Sequence, residues 1–93
     1  MQYVLIIHAV KDYPAWKKIF DEAAAIRAAA GERSYQLLRY AADANKVVHF
    51  SKGESIARAR AFFESAAVAE IRRKAGVEAP EFIYLQELES GVL

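Results

Sequence analysis

Two histidines, an aromatic pair and a few arginines are the side chains in this sequence that could do chemistry. His8 opens the stretch HAVKDYPAWKKIF (8–20), in which Asp12, Trp16 and Phe20 follow at a spacing of four. The other histidine, His49, sits in KVVHFS (46–51). An imidazole titrates near neutral pH, so either histidine could take a proton from a phenol or an acidic C–H as a general base. The structural alternative is a buried, hydrogen-bonded histidine near the end of a strand. Trp16 and Phe20 fit both a buried helix stripe and the wall of an apolar pocket, where Phe63 and Tyr84 would join them. Gln86 shares a strand face with Tyr84. Arg27 and Arg39 could each hold an anionic group, although a solvated or ion-paired guanidinium accounts for them as well.

Several chemistries drop out on composition. The chain has no cysteine, which removes thiolate catalysis, disulfides and Cys-ligated zinc together. Two imidazoles without an evident carboxylate beside them are an incomplete metal set, so we expect no metal and no cofactor. Thirteen Lys and Arg against twelve Asp and Glu leave a net charge of +1, which draws the chain neither to nucleic acid nor to an anionic membrane. The apolar start QYVLII is far shorter than the roughly 20 residues of a membrane helix, and no basic leader precedes it. A soluble, cytoplasmic protein is the expectation. No P-loop, glycine fingerprint or Ser nucleophile motif is present.

Periodicity supplies the elements that would position these residues. QYVLIIHAV (2–10) reads as a strand with two apolar faces: Tyr3, Leu5, Ile7 and Ala9 on one, Val4, Ile6, His8 and Val10 on the other. Residues 14–30 read as one helix that presents Trp16, Ile19, Phe20, Ala23, Ile26 and Ala30, with Pro14 at its first position and Gly31 as its stop. Asp12 or Tyr13 is the cap, and a carboxylate there can accept first-turn N–H groups with no catalysis implied. SYQLLRY (34–40) and KVVHFS pair as a hairpin across AADAN, where Asp43 and Asn45 are turn formers. A second helix from about 54 to 65 carries Ile56, Ala59, Phe62 and Phe63, and Ser65 caps a continuation to Lys74, stopped by Gly76. IRRK (71–74) reads as a basic cluster facing the helix C-terminus. EFIYLQELE (81–89) is the last strand, entered through Pro80.

The order β-α-β-β-α-β with right-handed crossovers is a single-domain (1–93) ferredoxin-like α+β arrangement, a four-stranded antiparallel sheet with both helices on one face. A chain of 93 residues buries only about 60–65% of its unfolded surface, and the strands are apolar on both sides. The helix-free face is therefore expected to meet a second copy in a homodimer. RNA-recognition domains share this topology, but KVVHFSKG lacks their third-strand pattern.

The spacing H-x-V-x-D-Y-x-x-W-x-x-x-F-D from His8 to Asp21 resembles the dimeric α+β barrel superfamily. So do Arg27, the stop at Gly31, Ser34 and Arg39 in one strand, the D-x-N turn at Asp43–Asn45 and the A-R-A-F-x-E-S helix (59–65). More narrowly, the chain is similar to the small antibiotic-biosynthesis monooxygenase-like or cyclase-like proteins. The resemblance implies a homodimer and a cofactor-independent monooxygenase or cyclase acting on an aromatic or polyketide-like small molecule. His8 and His49 would then be catalytic, and Trp16, Phe20, Phe63, Tyr84 and Arg39 would contact the substrate. The superfamily also includes members with no known activity, which implies the alternative of a non-catalytic ligand-binding module. The family's oxygenases use a tryptophan, at a position that does not map onto Trp16. Its haem-degrading members carry their histidine on a helix, and both histidines here read as strand residues.

Overall fold

β1 (Gln2–Val10) is the strand around which the chain is organised, because it alone pairs on both sides with partners from the two halves of the sequence. The structure, a computed structural model, describes residues 2–93, the side chains of residues 78 and 79 excepted. After β1 come α1 (Tyr13–Glu22), α2 (Ala24–Ala29), β2 (Glu32–Tyr40), β3 (Asp43–Gly53), α3 (Ile56–Phe63), α4 (Ala66–Lys74) and β4 (Val77–Gln86). The strands form one sheet in the order β2-β3-β1-β4, every pair antiparallel. This is the expected α+β ferredoxin-like layout.

Strand alternation divides the apolar residues of β1 between two environments. Val4, Ile6, His8 and Val10 are buried beneath the helices, and Tyr3, Leu5, Ile7 and Ala9 are half-buried on the other face. Under the helices one cluster joins Val10, Trp16, Phe20, Val47 and Ala75. A second gathers Val4, Ile6 and Phe63 with Ala59, Phe62, Phe82 and Tyr84 against it. The helix-free face leaves Leu38 49% exposed and Ile83 and Leu85 each 38% exposed, beside a stacked Tyr3–Phe50 pair.

Both long helices are broken in two. The first bends at Ala23, whose N–H is shared between the carbonyls of Ile19 (3.1 Å) and Phe20 (3.3 Å). A guanidinium inserts there: Arg27 donates to the same Phe20 carbonyl, and an intruding donor of this kind is a recognised cause of a kink. The bend turns the inward stripe by one residue, so that Ile26, expected inside, is 44% exposed and Arg27 is buried. The second helix breaks at Ser65, which caps α4 as expected by accepting from Val68 N–H at 3.3 Å. Asp12 caps α1, and Pro14 takes the second helical position rather than the first. The first four N–H groups of a helix have no partner inside it, so the proline costs no hydrogen bond there either.

The hairpin turn is tighter than expected, Ala41–Ala42 alone, with Asp43 already paired to Tyr40. β4 starts earlier and ends earlier than 81–89. Pro80 lies inside it, where the β1 pairing skips between Ile7 and Ala9, and an edge strand at such an irregularity tolerates the missing donor. Gly31 and Gly76 stop α2 and α4 at φ +108° and +77°. Gly53 is required for another reason: a Cβ there would meet the Gly31 carbonyl oxygen at 2.9 Å. Gly53→Ala should therefore lower unfolding stability by about 1–3 kcal/mol in a urea titration, and an unchanged midpoint would show that the β3 end moves freely.

Candidate active site

The chemistry-bearing residues converge between the middle of the sheet and the helix layer. His8 pairs with Val47 and His49 with Ile6, so the two imidazoles share the helix-covered face as diagonal neighbours on adjacent strands, a spacing of about 7–8 Å between backbones. A partly open cavity of about 60 Å³ is lined by His8, His49, Trp16, Phe20, Phe63 and Arg72, with Arg27 and Ile26 also on its wall. The rings form a continuous chain. His8 lies 5.3 Å from Trp16, Trp16 stacks on Phe20 at 5.0 Å, and Phe20 meets His49 edge-on at 4.9 Å. Phe63 closes the far side, 5.7 Å from His49.

Glu32 is the carboxylate that the sequence reading lacked. It stands at the first position of β2, where the pairing with β3 slips between Glu32 and Ser34, and a bulge of this type re-aims a side chain. Its carboxylate accepts from Arg27 Nε at 2.8 Å, from His49 Nε2 at 2.8 Å and from Ser51 Oγ at 2.6 Å. The Arg27 guanidinium lies 3.7 Å from the Phe20 ring centre and donates to Glu32 and to the Phe20 carbonyl. Burial pushes the Glu32 carboxyl up, but the bonds from His49, Ser51 and Arg27 outweigh it and leave the group below the usual carboxylate range. Burial likewise lowers His49; the Glu32 contact opposes this, and the nearby charges of Arg27 and Arg72 add to it. A neutral His49 that donates Nε2–H to Glu32 carries its lone pair on Nδ1.

His8 differs. Burial first, then repulsion from His49 once that ring is itself protonated and from the Arg72 guanidinium, push it down to about 3, with a backbone contact to Val47 pulling the other way. It is neutral throughout the physiological range, and its Nδ1 is buried with no hydrogen-bond partner. A general base titrating near neutrality is therefore not what the His8 environment produces.

The remaining expected contacts lie elsewhere. The Tyr84 hydroxyl donates to Glu64 and its ring sits 4.5 Å from the Arg60 guanidinium, which holds it on the edge strand β4 outside the cavity lining. Arg39 is exposed on the other edge strand, beside a surface depression that includes Tyr13 and Leu38. Among the described residues no group of three or more His, Asp or Glu could hold a metal ion. Sequence reasoning missed Glu32 and Arg72. Glu32 follows Gly31 in a segment read as loop, so its bulge left no periodic trace. Arg72 had a signal: Val68, Arg72 and Ala75, all buried, share one stripe of α4 at helical spacing.

The fold keeps both imidazoles neutral, whereas an unfolded histidine titrates near 6.5. Below that pH the unfolded chain binds more protons than the native one, so stability is complete above about 6.5 and falls as the pH drops toward 3. Each histidine contributes a slope of up to about 1.4 kcal/mol per pH unit. Urea titrations at about pH 7.5 and about pH 5 should show the loss, and His8→Gln should flatten it. Equal stability at both pH values would contradict the burial of the two rings.

No protein-family model matches the sequence. No curated protein matches it either. Solved structures match its fold along nearly the whole length. SnoaB, a cofactor-independent oxygenase from Streptomyces nogalater, superimposes with a TM-score of 0.72 at 14% identity, over 96% of this chain and 93% of that one. A Caulobacter crescentus protein provisionally described as an antibiotic biosynthesis monooxygenase gives 0.73 at 19% identity, over 95% and 90%. The ActVA-Orf6 monooxygenase of Streptomyces coelicolor, determined in complex with nanaomycin D, gives 0.64 at 17% identity, over 99% and 90%. The chain thus has the fold of antibiotic biosynthesis monooxygenase-like proteins, in agreement with the dimeric α+β barrel resemblance.

Proposed function

We propose that this chain is a cytoplasmic, homodimeric, cofactor-independent oxygenase or cyclase acting on an aromatic or polyketide-like molecule in the cavity beneath α1 and α4. The observation that carries the reading is a half-open, aromatic-walled cavity holding two histidines, one of them oriented by a buried carboxylate. Trp16, Phe20 and Phe63 offer flat apolar walls for a ring system. His49 is the proton acceptor: Glu32 holds its Nε2–H and so leaves Nδ1 as the acceptor, the arrangement by which a carboxylate orients a histidine base. His8, neutral and short of one hydrogen bond, holds a substrate oxygen. The fold shared with a cofactor-independent oxygenase and with a monooxygenase bound to nanaomycin D supports the assignment.

One observation favours the second reading, a non-catalytic ligand-binding module: burial lowers the basicity of both histidines, His49 included. The two readings part on turnover. An anthrone is a suitable probe, since its conversion with O₂ to the anthraquinone and water needs deprotonation of an acidic C–H. Oxygen uptake by the protein in a metal chelator should fall about 10²- to 10⁴-fold in His49→Gln, with binding of the ring system retained. Uptake equal to buffer in the wild type, together with retained binding, selects the module instead.

The homodimer rests on the exposed Leu38, Ile83 and Leu85, whose burial would contribute about 25 cal/mol per Å². Sedimentation should give twice the 10.4 kDa chain mass, and Ile83→Glu should shift it toward the monomer. A stable monomer at micromolar concentration would remove the dimer from the proposal.

A further inference from the structure

The two arginines on the cavity wall have matching positions and unequal surroundings. Each comes from the helix after a break and donates to a carbonyl near the end of the helix before it: Arg27 to Phe20, and Arg72 to Phe63, at 2.5 Å through Nη2 in the second case. Each also lies over a ring, Phe20 for Arg27 and Phe82, 4.8 Å away, for Arg72. Arg27 is neutralised by Glu32 at 2.8 Å. Arg72 is equally enclosed, 9% exposed, and among the described residues no carboxylate lies within ion-pair distance of it.

With both imidazoles neutral and Arg27 paired with Glu32, Arg72 is the cavity cation without a salt-bridge partner; burial lowers its pKa, and the Glu64 carboxylate opposes this only from beyond ion-pair distance. A buried guanidinium is costly unless paired, and the Phe63 carbonyl engages only one of its five donors. Beside it His8, 4% exposed, has a ring nitrogen with no hydrogen-bond partner. The field of Arg72 reaches both histidines, since it lowers the pKa of each. Unpaired positive charge and unpaired imidazole thus stand on the same apolar wall.

We propose that Arg72 is the anion-binding residue of this cavity, and that it selects flat aromatic molecules bearing an ionised oxygen, a carboxylate foremost, over their neutral counterparts, with His8 completing the oxygen's hydrogen bonds. The assignment rests on the cavity being the ligand site and names which arginine reads the ligand. Arg27 has no free charge to offer, and Arg39 lies outside. A planar guanidinium beside aromatic walls suits a carboxylate carried on a ring, because the fork can take both oxygens while the ring packs against Trp16 and Phe20.

The experiment is calorimetric titration of the full-length protein with 2-naphthoate and with 2-naphthamide, which share shape and differ in charge. The wild type should bind naphthoate about tenfold or more tightly than naphthamide. In Arg72→Gln that preference should vanish while naphthamide binding stays within about threefold, and Arg72→Lys should retain part of it. Circular dichroism and dimer mass on the same samples identify a variant that fails to fold, and the wild-type comparison decides the proposal without it. Equal wild-type affinities for the two probes would overturn the role of Arg72 and leave the cavity as a ligand site. Binding of neither probe would overturn both. A naphthoate preference that survives in a folded Arg72→Gln would assign the anion to another residue.

Discussion

The Glu32 carboxylate is the interaction on which the helix layer and the site both depend. Three donors from two elements meet on it: Arg27 from α2, His49 and Ser51 from β3. Removing the carboxylate would leave Arg27 buried without a counter-charge, and breaking a buried ion pair from one side costs about 3–5 kcal/mol. The same removal would free the ring of His49. Helix position and imidazole orientation are therefore one constraint, because Arg27 also ties Glu32 to the bend of the first helix through the Phe20 carbonyl.

That coupling gives a physical reason for the broken helices. An unbroken helix over 14–30 would satisfy the Phe20 carbonyl within its own ladder and keep Ile26 on the inward stripe. The bend at Ala23 shifts the stripe to Arg27, and the second helix does the same at Ser65 to bring Arg72 inward. In each half a guanidinium takes over a carbonyl that the helix gives up, and a charged donor makes a stronger bond than the amide it replaces. The cavity is where the two halves meet, and it inherits from them one ion-paired cation and one without a salt-bridge partner.

How much of this was legible in the sequence follows from which signals are periodic. The strand at 2–10, the cap at Ser65, the glycine stops and the sheet order all rest on alternation or on residues with strong backbone preferences, and they agree with the structure. Trp16, Phe20, Phe63, His8 and His49 were legible as site candidates because strand or helix periodicity placed them on the covered face, and the cavity brings these five together. Tyr84 and Arg39 were not separable from them, since period-two alternation gives a face but not the distance of an edge strand from the centre. The bend was illegible because Glu22 and Ala24 on either side of Ala23 are good helix formers, and its cause lies in a contact between residues seven apart in sequence.

His8 shows how the surroundings, rather than the residue type, set the chemistry. The same imidazole that would titrate near neutrality in water is held neutral here by burial and by the positive field of Arg72. An imidazole so depressed is a poor base and a good neutral hydrogen-bonding group, available in either tautomer without a change of charge. His49, next to it on the same face, is no less buried, but its Nε2 is fixed by Glu32. Two histidines of one cavity thus acquire different roles from what stands behind each ring: a carboxylate orients one as an acceptor, and burial without such a partner keeps the other neutral.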